Sequence, residues 1–175
     1  DQEDTAKILG LPREKVRIIP ATAGGGFGTK LDVSLQPLLG LAVLKTGKPC
    51  RMVFTRHESM IATTKRHPAA MRGSLAADAD GRLVGMTFEG NFNTGAYASW
   101  GPTVATRVPI HASGPYRVPH YFAEAHAIHT SGPVAGAFRG FGVPQATILQ
   151  EILMDRLALK LGIDRLEMRR RTALR

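Results

Sequence analysis

The sequence predicts an α+β domain with a mixed sheet and packed helices, and three observations carry that prediction. Asp80-Gly81 marks a hairpin turn inside Met71 to Asn93, flanked by Leu75 to Ala77 and by Leu83, Gly85, Thr87 and Glu89 in rough alternation. Gln145 to Leu161 places Ile148, Leu149, Ile152, Leu153, Leu157 and Leu161 on one stripe at helical spacing, with Gly162 as its stop. Helical and strand-like segments are interspersed along the remainder.

In order, Asp4 is suited to cap a short helix through Leu9, which Gly10 ends and Pro12 keeps from continuing. Val16 to Thr22 reads as a buried strand. Ser34 is a candidate N-cap for a helix that ends at Gly47, because Pro37 then falls in the first turn, where a missing N–H is tolerated. Arg51 to Thr55 reads as a strand and Arg56 to Thr64 as a turn or short helix. Asn91 to Gly101, rich in Asn, Gly, Ser and aromatic residues, reads as a loop with functional potential. Thr103 to Ala112 is a helix interrupted by Pro109, and Tyr121 to Thr130 a strand. Asp164 caps a last helix, with Glu167 as its box partner.

At 175 residues and 43% hydrophobic, the chain can bury one sizeable core, so a single domain over 1–175 is expected. No run of about 18 apolar residues predicts a membrane-spanning helix, and no signal-peptide pattern is visible. The start at Asp1 and the late Arg169-Arg170-Arg171 run read as a piece of a longer protein. The one cysteine, Cys50, excludes an internal disulfide or a cysteine-ligated cluster made by this chain alone, and fits a cytoplasmic setting. A net charge of +9 would suit nucleic acid, but the basic residues are dispersed and do not interleave with aromatics. A solvated surface, an acidic partner or an anionic cofactor fits better; a non-catalytic basic binding module is the alternative.

The most informative stretch is Ala23 to Lys30, A-G-G-G-F-G-T-K. A glycine run gives no packing and costs backbone entropy, so it marks a sharp bend or a close approach. Placed before a helix, its free N–H groups favour an anion. Thr29 separates Gly28 from Lys30, which breaks a Walker loop, and Phe27 alone separates Gly26 from Gly28, which breaks a dinucleotide fingerprint. A second loop, Ala137 to Gln145, repeats Gly-Phe-Gly at 140–142 and again feeds a helix, with Pro144 at its start. If the two converge, they offer backbone donors to one anionic ligand. Arg139 adds a planar donor fork and Phe141 a flat apolar surface. The six histidines lack metal-ligand spacing; His126 and His129 are three apart in a predicted strand and point to opposite faces.

Gly24-Gly25-Gly26-Phe27-Gly28-Thr29-Lys30 and Ala137-Phe138-Arg139-Gly140-Phe141-Gly142-Val143-Pro144-Gln145 resemble the two molybdopterin-contacting motifs of the xanthine dehydrogenase/aldehyde oxidoreductase family. Arg66-His67-Pro68, Asn93-Thr94-Gly95-Ala96-Tyr97, Tyr116-Arg117-Val118-Pro119 and the passage from Leu153 to Asp164 extend the likeness over nearly the whole chain. The resemblance implies part of a molybdopterin-binding domain in which Gly26, Phe27, Gly28 and Arg139 hold the cofactor. The backbone N–H groups of Phe27 and Arg139 would reach the molybdenum centre, while Leu31, Arg107 and Phe141 would touch substrate. It further implies hydroxylation of an aldehyde or N-heterocycle with water as oxygen source. Iron–sulfur clusters, often with FAD, would lie on other domains or subunits of a homo-oligomeric parent. Purine-oxidising members carry glutamate where this chain has Leu31, which argues against xanthine itself. The family's catalytic glutamate and its oxo-contacting glutamine match no residue here. Glu58, Glu89, Glu124 and Glu151 do not occupy the base position, so the segment by itself is expected to be inactive.

Overall fold

The computed structural model describes residues 1–175. Three strands form one mixed sheet in the order β1-β2-β3. β1 (Ala69–Ala77) and β2 (Leu83–Gly95) make the expected antiparallel hairpin, in which the Arg82 amide donates to Asp78 Oδ1 at 2.8 Å. β3 (His120–His129) runs parallel to β2, a geometry that needs a crossover, and α4 (Gly101–His111) supplies it.

Met86, Phe88 and Phe92 of β2 are buried and pack with Val108 of α4, with Ala112 at its C-cap and with Ala146 of the long helix α5 (Val143–Leu161). The inward face of β2 is therefore opposite to the one traced by Gly85, Thr87 and Glu89. The register shifts between Ala76 and Ala77, so Leu83 faces inward before the irregularity and Met86 after it. On α5 the buried residues are Gln145, Ala146, Gln150, Met154 and Ala158, while Ile148 and Ile152 of the predicted stripe are exposed. Leu149 and Leu153 do face β1, where Gly73 leaves them room. Small alanines let α5 come close to its neighbours, and a reading by side-chain size overlooks them.

Leu83, Tyr116, Met154, Ala158 and Met168 form a second cluster beneath α6 (Arg165–Thr172). Asp164 caps α6 as expected, accepting from the amides of Leu166 and Glu167 at 2.9 and 3.0 Å. The reciprocal half of the box is not made, because Glu167 takes the Arg171 Nε–H instead. Arg169 of α6 donates to Glu151 and, at 2.8 Å, to Asp155 of α5, and Tyr116 Oη donates to Glu151 Oε1 at 2.8 Å. Tyr116→Phe is expected to lower stability by about 1.5 kcal/mol, the scale of a hydrogen bond to a charged group. Unfolding of the parent protein, which should keep its ligand affinity, measures this.

Elsewhere the expectations divide. α1 (Gln2–Leu9) ends at Gly10 as predicted, but Asp1 is its N-cap and Asp4 lies in its first turn. α2 (Leu35–Thr46) begins after Ser34 and stops at Gly47. Val16 to Thr22 and Arg51 to Thr55 are not strands. Ile19 is 72% exposed, and β-prone residues without a ladder partner remain merely extended chain. Thr55 instead builds a capping box with Glu58 at the start of α3 (Arg56–Ala62). β2 continues to Gly95, so only the second half of Asn91 to Gly101 is loop. Pro109 does not interrupt α4, which runs through it to His111 and gives up only the bond that its missing N–H would have made.

Candidate functional site

The end of the sheet positions the second glycine loop. The Ala135 amide donates to Thr94 O at 2.9 Å, and the Gly136 amide donates to Lys65 O at 3.0 Å. That anchoring delivers Ala137 and Phe138 directly onto Gly28 of the first loop. A methyl group on Gly28 would lie 2.6 Å from Ala137 O and 2.8 Å from Phe138 N, and Gly28 has φ +98°. The two loops therefore converge, backbone against backbone.

Within the first loop, the Thr29 amide and hydroxyl both donate to Gly26 O at 3.0 Å, and the Leu31 amide donates to Gly28 O at 3.2 Å. Lys30 Nζ reaches back to Gly25 O at 2.6 Å. These bonds hold Phe27 at φ +52°, a left-handed conformation that costs roughly 1–2 kcal/mol outside glycine. The loop does not open α2 directly, since residues 31–34 intervene. Its N–H groups are presented by the turn itself and not by a helix terminus. The Phe27 ring, 59% exposed, lies under the Arg139 guanidinium at 5.7 Å. The N–H groups of Phe27 and Arg139 find no acceptor in the chain.

The second loop carries three successive left-handed residues, Gly140, Phe141 and Gly142, and Gly142 is the N-cap of α5. Phe141 meets Trp100 edge to face at 6.0 Å, and Arg107 of α4 stands over the Phe141 ring at 5.8 Å. Asp32 accepts from Ser99 Oγ at 2.8 Å, which ties the first loop to the turn carrying Trp100. The predicted residues thus gather as Gly28, Phe27 and Arg139 in one group and Arg107 with Phe141 in another. Leu31 is joined to the first loop through its amide, with its side chain half exposed. Trp100, Asp32 and Ser99 were not expected; the aromatic and Ser content of the Asn91–Gly101 stretch was the available signal. Lys30, Arg66, Arg107 and Arg139 have no carboxylate partner. Free N–H groups, unpaired cations and a glycine that excludes any Cβ suit an anionic group brought close to the backbone.

Glu58, Glu89, Glu124 and Glu151 are all engaged elsewhere, with Thr55, Arg72, His126 and Arg169 respectively. His67, 3% exposed, has a buried Nε2 without a partner. Burial, and secondarily the charge of Arg66, holds its pKa below the ordinary 6.5. The unfolded chain therefore binds a proton near pH 6.5 that the folded chain refuses, so stability falls as pH drops below that value. Unfolding midpoints between pH 7.5 and 5 should show the fall, and His67→Gln should flatten it.

The molybdopterin cofactor-binding domain family matches residues 1–173. The nicotinate dehydrogenase large molybdopterin subunit of Eubacterium barkeri is 48% identical over 97% of this chain and 40% of its own length. A Bacillus subtilis protein named as a probable xanthine dehydrogenase subunit is 42% identical over 98% of this chain and 23% of its own. Among solved structures, the aldehyde oxidoreductase of Desulfovibrio gigas superposes with a TM-score of 0.92 at 30% identity, covering 99% of this chain and 19% of that one. The chain thus spans less than half the length of these relatives. With its two glycine loops meeting as they do, the chain belongs to the molybdopterin cofactor-binding domain family.

Proposed function

We propose that this chain is part of the catalytic, cofactor-binding domain of a molybdenum hydroxylase that oxidises an N-heterocycle or an aldehyde, with water as the oxygen source. The observation that carries the proposal is the contact of Gly28 with the Ala137–Phe138 backbone, which sets the unpaired N–H groups of two loops beside one another. The residues fit the cofactor: Gly26, Phe27, Gly28 and Arg139 would hold it, and the N–H groups of Phe27 and Arg139, which have no acceptor in the chain, would be offered to the molybdenum centre. When bound, that cofactor supplies the two-electron oxidation and the entry of oxygen from water. The chain's own residues bind and orient. Phe141, braced by Trp100, offers a ring face for stacking. Arg107 offers a donor fork to a substrate carbonyl or carboxylate, and Leu31 an apolar wall.

Both substrate classes suit these residues, with the N-heterocycle first, because the relative from E. barkeri is named for nicotinate. Iron–sulfur and flavin domains or subunits of a homo-oligomeric, cytoplasmic parent would supply the electron acceptors. The 175 residues alone are inactive on this reading, because none of Glu58, Glu89, Glu124 and Glu151 is joined to either glycine loop. No helix is long and apolar enough to cross a membrane.

The test is to purify the full-length parent from a cofactor-competent host and to assay molybdenum, iron and visible absorbance. Turnover is then measured with nicotinate-type heterocycles and with aromatic aldehydes. A parent without molybdenum, or one inert to both classes, contradicts the proposal.

A further inference from the structure

Arg66 lies in the link between α3 and β1, 73 residues from the second loop, yet that loop is what it serves. Its Nη2 donates to Arg139 O at 2.7 Å, and its guanidinium lies 4.6 Å from the centre of the Phe138 ring. Nη1 reaches Gln145 Oε1 at 3.4 Å on the first turn of α5, and Gln145 Nε2 in turn donates to His67 O at 3.2 Å. One planar group thus grips the residues on both sides of the peptide that carries the Arg139 N–H, and the buried Gln145 ties the grip back to Arg66's own segment.

A half-buried guanidinium with no carboxylate partner is an expensive way to hold a surface loop. Burial lowers its pKa, and no acidic residue offsets the cost. Neutral acceptors and a ring face accept that charge only where they need a fixed fork. Alternating glycines leave residues 140–142 little rigidity of their own, so the 138–140 segment needs an external clamp to aim its N–H.

The geometry points to Arg66 as a positioning residue that sets the direction of the Arg139 N–H toward the cofactor, acting through Arg139 O and Phe138. This inference rests on the proposed molybdenum site and adds a residue to it that touches neither cofactor nor substrate.

The test compares the full-length parent with Arg66→Lys, which keeps the charge and loses the fork, and with Arg66→Gln, which loses the charge. Amide hydrogen exchange at Phe141, whose N–H donates to Phe138 O at 2.9 Å within the gripped segment, should speed up by about tenfold in both variants in cofactor-free protein, the equivalent of one charge-assisted hydrogen bond. In loaded Arg66→Lys, molybdenum content, thermal midpoint and KM should match wild type. Its kcat should fall by up to about a hundredfold, the scale of a 1 Å misplacement, and its Mo(V) paramagnetic signal should shift. Wild-type exchange at Phe141 in both variants overturns the inference. So does a fall in kcat that only follows lost metal or lost fold. A wild-type parent without molybdenum defeats the proposed function instead, and the exchange measurement on the loop still decides the clamp.

Discussion

Gly28→Ala in the parent protein is expected to leave the fold standing and to abolish function, with molybdenum well below one per protomer and turnover down more than about a hundredfold. Two costs coincide at this position. Alanine at φ +98° is strained wherever it is placed, by roughly 1–3 kcal/mol. Its methyl group would also stand 2.6 Å from Ala137 O and 2.7 Å from Ala137 C, which are backbone atoms and cannot rotate aside. The loops must part, and the Phe27 and Arg139 N–H groups separate with them. The core is out of reach of this change, because Phe88 and Phe92 pack between the sheet, α4 and α5, and Met154 packs beneath α6. The thermal midpoint of the cofactor-free protein should therefore move by only a few degrees. Metal analysis and a melting curve on one preparation separate the two effects. Full molybdenum occupancy with wild-type turnover would show that the loops do not need their contact. Gly24→Ala is the control: its methyl would meet nothing within 4 Å and its backbone is not left-handed, so a much smaller loss is expected.

What could be read from the sequence was local chemistry. Gly10, Gly47 and Gly162 end helices, Asp164 caps one, and Asp80-Gly81 closes the hairpin, because each signal acts within a few residues of itself. Strand assignments failed where the property belongs to a pair. Val16 to Thr22 has the right residues and no neighbour to bond, while Asn91 to Gly95, with poor strand residues, is held by β3 along its length and by β1 as far as Phe92. The site was legible in its parts and not in its assembly. Both Gly-Phe-Gly elements were visible, and so was their shared need for unusual backbone angles. That they meet depends on Ala135 bonding Thr94 and Gly136 bonding Lys65, contacts between residues some 40 and 70 positions apart, which no periodicity encodes. Asp32 and Trp100 were missed for the same reason, since each takes its role from a residue distant in sequence.

Arg107→Met is the second change expected to have a large effect, and its value lies in being selective. Arg107 stands 5.8 Å above the Phe141 ring with no carboxylate partner, so its charge is free to meet a ligand stacked on that ring. A heterocycle bearing a carboxylate or ring carbonyl would lose a charge-assisted bond, and kcat/KM should fall about a hundredfold, equivalent to roughly 2.7 kcal/mol. An aromatic aldehyde, which has no such group beyond the reacting carbonyl, should lose less than about threefold. Arg107→Lys should lie between, because a lysine keeps the charge and gives up the fork. Arg107 is exposed, so its replacement by methionine is not expected to bring a general loss of stability that would cloud the comparison. An equal fall with every substrate would instead mean that Arg107 braces Phe141 and does not read the ligand. The ratio between the two substrate classes, more than either rate, tells whether Arg107 orients the substrate or only supports the ring beneath it.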